Sequence, residues 1–318
     1  MVTGATGFIG QYLVKTLLLR GEEVRILSRH PERIPSTWLN HIEVSMGNIC
    51  EKDSLFSALK GVDIVYHLAG EIHDKKLYYT VNHEGTENLL ETCATLGIKR
   101  FLHYSSVGVI GAKDHGIYDE QSVCNPSNDY ERSKYLGEKA ALRFFQEGRL
   151  DVSVVRPTIV LGPRMNAERD SFLSWMKSIK SGQFRLIGSD DAIVNYVYVE
   201  DVIESCIFIA QDDQAIGEIY HISDSCKMSE FIECAVNLLG VRYPGHLIKN
   251  IAYALAIAFE TIGKILKIKP PLTVARLKAL TSQTEFCGDK LKQKFKFPFG
   301  WREGLKKTIL AYKEMKLL

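Results

Sequence analysis

Tyrosine and lysine stand four residues apart in YERSK, at Tyr130 and Lys134, within a stretch of helical periodicity from Tyr130 to Glu147. That spacing puts both side chains on one helix face. A phenol titrates near ~10 and is a poor base at neutral pH. An ammonium beside it favours the phenolate and lowers that value. The pair therefore predicts a group that exchanges a proton with a substrate hydroxyl or carbonyl. Ser106, at the end of FLHYSS, supplies a hydroxyl that can hydrogen-bond the same oxygen. Tyrosine and lysine also meet at this spacing on ordinary helices, so the pair gains meaning from its company.

That company begins in MVTGATGFIG, where Gly4, Gly7 and Gly10 recur at every third position. Backbone N–H groups between a strand and a helix can close on a pyrophosphate, and the helix dipole favours its charge. The spacing is G-x-x-G-x-x-G rather than G-x-G-x-x-G. After the second expected strand a carboxylate would bind a ribose 2′-hydroxyl and repel a 2′-phosphate. Here stand Ser28 and Arg29, with Arg33 close behind. A hydroxyl and a guanidinium suit a phosphate dianion, so NADP is expected ahead of NAD.

These groups need a scaffold. Strand-like runs lie at Gly21–Ser28, Asp63–Ala69, Lys99–Ser106 and Leu150–Pro157. Helical stretches separate them, at Phe8–Arg20, Tyr78–Leu96 and Tyr130–Glu147, each closed by a glycine. Such alternation predicts an α/β fold: a Rossmann-type doubly wound parallel sheet that binds ligands at its strands' carboxyl ends. Past Gly162 the pattern predicts a helix near Asp170–Ser181, a strand at Asn195–Val199, a helix from Asp201 and a strand at Glu218–Ser223. The remainder reads as mostly helical. Residues 1–162 with about 193–223 form the expected dinucleotide unit, and 163–192 with 224–318 a smaller substrate region.

Bulk properties narrow the function. The formal charge of +2 gives no electrostatic case for nucleic acid. The lysines of Lys264–Lys269 and Lys290–Lys296 alternate with apolar residues and read as solvated faces. Seven scattered cysteines form no C-x-x-C pair, so no metal site is expected and a reducing, cytoplasmic setting is. No signal peptide opens the chain, and the apolar run Ile251–Phe259 is too short to span a bilayer.

Taken together, the motifs resemble those of the extended short-chain dehydrogenase/reductases, the NAD(P)-dependent epimerase/dehydratase superfamily. TGATGFIG resembles the T-G-x-x-G-x-x-G loop and implies cofactor contacts from Thr3, Gly4, Thr6, Gly7, Phe8, Ile9 and Gly10. HLAG resembles the H-L-A-A strand end, bringing in Leu68, Ala69 and Gly70, and VNHEGTENLL brings in Asn82. YSSVGVIG resembles S-S-x-x-V-x-G, and aligning Gly111 selects Ser106 over Ser105 as the catalytic serine. YERSK supplies Tyr130 and Lys134, the lysine also holding the nicotinamide ribose. VVRPTIVLGP resembles the nicotinamide loop, implying main-chain contacts from Pro157, Thr158, Ile159 and Val160. A homodimer through paired helices is compatible with the resemblance.

Three departures sharpen the reading. Only two residues precede Thr3, against the five or six of a usual central strand, which favours a misplaced start or a fragment. In MGNIC, Asn48 replaces the family's aspartate; with Ile49 it is the expected adenine contact, through its amide oxygen. In VNYVYVED, Val194 replaces the arginine with which nucleotide-sugar enzymes hold substrate phosphates, unless Arg164, Arg169 or Arg276 substitutes. VRILSRHPER resembles the dihydroflavonol-reductase-like enzymes and the helical tail the 3β-hydroxysteroid-dehydrogenase-like group. IAYALAIAFETIGKIL is either an apolar wall for a lipophilic substrate or plain helix packing. The expectation is an NADP-linked oxidoreductase acting on a small-molecule alcohol or ketone. A nucleotide-sugar epimerase or dehydratase is the alternative, and a non-catalytic NADP-binding regulator the remote one.

Overall fold

Apolar runs separated by helices become parallel strands in the computed structural model, which describes residues 1–111, 113–164, 170–188, 191–266 and 272–318. The main sheet contains β1 (Val2–Thr3), β2 (Val24–Ser28), β3 (Ile42–Met46), β4 (Ile64–His67), β5 (Arg100–Tyr104), β6 (Val152–Pro157) and β7 (Ile219–Ile222). Their order is β7-β6-β5-β4-β1-β2-β3, and every pairing is parallel. The direction of winding reverses between β1 and β4, so the doubly wound Rossmann-type fold stands as expected.

Strand period decides which side chain faces which layer. Val2, Ile26, Tyr66, Leu102 and Val155 face α1 (Phe8–Leu19) and α6 (Val199–Gln211). Leu27, Val65, Phe101 and Val154 face α2 (Asp53–Leu59), α3 (Gly85–Leu96) and α4 (Asp129–Gln146). Each fully buried Leu, Val, Ile or Phe side chain contributes roughly 1.5–3 kcal/mol of transfer free energy. A third core joins α5 (Ser171–Lys180), α7 (Met228–Leu239) and α11 (Gly300–Glu314) through Phe172, Met176, Phe231, Trp301 and Tyr312. Beside it lie α8 (Lys249–Leu266), α9 (Val274–Thr281) and the short α10 (Asp289–Lys292).

β1 is as short as the sequence implies. The Met1 amine donates to Ile64 O at 2.8 Å, and burial pushes its pKa down to about 5. The expected helix Tyr78–Leu96 instead opens with a π-turn over Thr80–Glu84. A strand at Gln283–Phe286 crosses back to pair in parallel with His115–Tyr118.

The lysines of 290–296 are not merely solvated. Lys290 pairs with Glu218, Lys292 with Asp224 and Lys294 with Asp212, tying α10 to the end of α6 and to β7. Of the other lysine run, 267–269 lies outside the described residues. Among the described residues, no helix is long and apolar enough to cross a membrane.

Candidate active site

β1, β4, β5 and β6 run in one direction, so the residues that follow them share one edge of the sheet: Gly4, Leu68, Ser105 and Thr158. At Gly4 the backbone takes φ +69°, and a Cβ there would lie 2.7 Å from Ala69 N. A Cβ on Gly10 would lie 2.2 Å from Gly4 O. Both contacts exclude any other residue and hold the loop flat against β4. Gly7 is exposed and caps α1 with backbone only, and no acid stands in the helix's first turn. Thr6 O accepts from Gln11 Nε2, and Phe8 and Ile9 begin the helix half-buried. A turn with glycine at Gly4, Gly7 and Gly10 that runs into a helix N-terminus fits a dinucleotide pyrophosphate.

Beneath that turn runs a buried polar thread. Ala69 N–H donates to Thr3 Oγ1 at 3.2 Å, and Thr3 Oγ1 meets His67 Nδ1 at 2.8 Å. His67 Nε2 meets Thr86 Oγ1 at 2.9 Å, and Thr86 donates to Asn82 O. Because Thr86 spends its one hydroxyl proton on Asn82 O, it can only accept from His67, so the ring proton sits on Nε2 and Nδ1 accepts from Thr3 Oγ1. Burial, aided by Lys134, pushes the His67 pKa down to about 3, so the ring is neutral. Asn82 Nδ2 donates to Glu71 O and to Ser133 Oγ, and Ser133 donates to Tyr130 O at 2.7 Å. The π-turn aims Asn82 across at α4.

Lys134 is buried, and its Nζ donates to Tyr104 O at 2.6 Å. Exposed Gly70 stands above it: a Cβ there would lie 3.2 Å from Asn82 Oδ1 and 3.9 Å from Lys134 Nζ. Burial pushes Lys134 down to about 8, against the pull of Glu138 one turn on. Tyr130 is half-buried, its ring edge-on to Tyr78 at 5.6 Å. Burial first, then Tyr78 and Glu131, push its phenol above the usual value. This corrects the expectation of an acidified phenol. Desolvation dominates the phenol, and the Lys134 ammonium is committed to Tyr104 O instead.

The two neighbouring serines separate cleanly. Ser105 is buried and donates to Glu138 Oε2 at 2.6 Å. Ser106 is half-buried and heads the 3₁₀ turn Val107–Ile110, accepting from Gly108 N–H at 3.1 Å. Glu138, with Arg156, is the feature that sequence reasoning missed. Their side chains are 1% and 3% exposed, and Arg156 Nε donates to Glu138 Oε2 at 3.0 Å. The signal was a charge at the end of the mostly apolar strand VSVVRP.

Elsewhere the sequence-predicted residues divide. Arg29 is exposed just past β2 and carries no ion pair among the described residues, while Ser28 is buried with its Oγ accepting from His30 N–H. Asn48 Oδ1 accepts from Cys50 N–H and its Nδ2 donates to Glu51, so its amide already shapes the turn into α2. The Ile49 side chain is buried against Gly85. Leu68 is half-buried at the end of β4. Pro157 and Thr158 are buried, Val160 half-buried, and Ile159 stands 60% exposed beyond β6. Val194 lies within the third core, which explains an apolar residue at that position. Arg164 stacks on the Phe8 ring at 4.2 Å, beside the glycine loop. Arg276 is exposed on α9, and Arg169 lies outside the described residues.

The sequence model of the family described as "NAD dependent epimerase/dehydratase family" matches residues 1–223. The chain belongs to that family. It is an enzyme of the extended short-chain dehydrogenase/reductase superfamily, one built around a nicotinamide cofactor.

The chain is 25% identical to the N-acetyl-alpha-D-glucosaminyl-diphospho-ditrans,octacis-undecaprenol 4-epimerase of Escherichia coli O157:H7, over 97% of this chain and 93% of that protein. It is also 25% identical to the decarboxylating sterol-4-alpha-carboxylate 3-dehydrogenase of Mus musculus, over 99% and 91%. A 30% identical match to the uncharacterized protein y4nG of Sinorhizobium fredii covers 65% of this chain and spans about half, 52%, of that protein. Among solved structures, gox2253 superposes with a TM-score of 0.79 at 26% identity, covering 100% and 98% of the two chains.

Proposed function

We propose that this family member transfers hydride between NADP and an alcohol or ketone, with Ser106, Tyr130 and Lys134 as its catalytic residues. The observation that carries the reading is the placement of Lys134: buried, anchored to Tyr104 O, beneath open Gly70 and one helical turn from Tyr130. A lysine depressed by burial is costly to the fold, and such groups concentrate where chemistry needs them. When bound, the cofactor supplies or accepts the hydride. In the reductive direction Tyr130, kept protonated by its surroundings, gives its proton to the substrate's carbonyl oxygen, and Ser106 hydrogen-bonds that oxygen. Lys134 steadies the phenolate left behind. The substrate gains one hydride and one proton and leaves as the alcohol. Residues 1–162 with about 193–223 hold the dinucleotide, and 163–192 with 224–318 cover the substrate.

The test is turnover of reduced cofactor across a panel of ketones, sterols and nucleotide sugars. Tyr130→Phe is expected to lower kcat about 10²–10⁴-fold while leaving cofactor affinity intact. Equal activity in the variant would remove the proton-transfer role. Arg29 supports the NADP preference, because an exposed guanidinium just past β2 is chemically suited to a 2′-phosphate. Arg29→Asp should invert the ratio of NADP to NAD affinity, read by nicotinamide fluorescence; an unchanged ratio refutes the assignment.

One observation favours a second reading, epimerisation of a nucleotide sugar. Arg164, held over Phe8 at the mouth of the glycine loop, offers the cation that Val194 lacks. An epimerase would alter its substrate with no net consumption of cofactor.

A further inference from the structure

Helix α8 faces solvent with apolar residues. Its Ala252, Ala256 and Gly263 are buried on one side. On the opposite side Ile251 is 48% exposed, Ile257 57% and Ile262 48%, with Leu255 also exposed and Ile248 just before the helix at 66%. Between Asn250 and Gly263 the single charged residue is Glu260, and it is half-buried with Oε1 accepting from Val274 N–H at 2.9 Å. The outward face therefore carries no charge along more than three turns. An amphipathic helix packed on a core normally shows the reverse pattern.

The segment that carries this face is one-sided in charge. From Val241 to Ser282 the chain holds seven of its 40 Lys and Arg residues but only one of its 38 Asp and Glu residues. Arg242, Lys249 and Lys278 are exposed there. Exposed cations near an uncharged apolar helix face are complementary to an anionic lipid headgroup layer, and among the described residues Asp114, which shares a pocket with Lys249, is the acid beside them. Pairing of the same face between two copies would instead set like charges against each other.

We propose that the outward face of α8 lies on the surface of an anionic lipid bilayer, its isoleucines and Leu255 in the headgroup boundary and the nearby cations on the phosphates. The helix rests in the interface plane rather than crossing it. This inference is independent of the reaction assigned above, since no turnover enters its test.

The full chain is incubated with phosphatidylcholine vesicles, with or without phosphatidylglycerol, and sedimented. Pelleting is expected with phosphatidylglycerol vesicles and should weaken as salt rises. Ile251→Glu with Ile262→Glu should weaken it at least about tenfold, with the melting temperature and cofactor affinity unchanged because both positions are exposed. A Leu255→Trp reporter should shift its emission to the blue on adding the anionic vesicles, whereas Phe56→Trp, exposed on α2, should not. Absence of pelleting overturns the proposal, as does binding that the glutamate pair leaves unchanged. A wild-type dimer that the same pair converts to monomer without lipid also overturns it, making the face a self-interface.

Discussion

Lys134 shows how a single residue sets stability against chemistry. Its folded pKa of about 8 lies below the usual 10.5, so between those values the unfolded chain binds the extra proton. Stability attributable to this group therefore rises as pH climbs from about 8 toward 10.5, and the full penalty is present below 8. Lys134→Met should abolish turnover yet match or exceed the wild-type melting temperature at pH 7. Its advantage should shrink above pH 8, as followed by calorimetry across pH. A constant difference with pH would show that the lysine is not held under strain by burial. The residue types and spacing of Ser106, Tyr130 and Lys134 were legible in the sequence. The direction of the Tyr130 shift was not, because desolvation depends on what tertiary packing places over the ring.

At the scale of elements, the alternation of strand and helix was readable because buried parallel strands are mostly apolar, as in the IVY that opens Ile64–His67. β3 escaped notice because it is an edge strand, with Glu43 and Met46 exposed and its pattern diluted. The π-turn at Thr80–Glu84 hid inside a helical periodicity, since one extra residue per turn barely alters composition. The glycine loop makes a sharp claim about an element junction. Gly10→Ala would drive a methyl group to 2.2 Å from Gly4 O. Cofactor affinity is expected to fall more than about tenfold, with a melting temperature several degrees lower, as overpacking costs about 1–3 kcal/mol. Titration of nicotinamide fluorescence and a thermal melt check both effects.

Across the whole molecule, polar contacts fasten segments that lie far apart in the chain. Asp201 on α6 accepts from Phe299 and Gly300 N–H, and Asp224 accepts from Trp301 N–H, so the start of α11 is fastened to α6 and to the segment that follows β7. None of this is legible in sequence, because partners 77 to 99 residues apart leave no periodic trace. Arg156 and Glu138 do the same between β6 and α4, with Ser105 drawn in. Arg156→Met should cost about 3–5 kcal/mol in urea denaturation, since it strands a buried carboxylate. Arg156→Leu with Glu138→Leu should recover most of that loss. Equal losses in the single and double variants would show that packing, not charge, holds the two elements together.

The thread from Ala69 through Thr3, His67, Thr86 and Asn82 permits one proton order only, because Thr86 gives its single proton to Asn82 O and must receive from His67, which leaves the other ring nitrogen to receive from Thr3. The floor of the crevice is in that sense a one-way street. Its dipoles are aligned before any ligand arrives, and they need not be re-sorted between cycles.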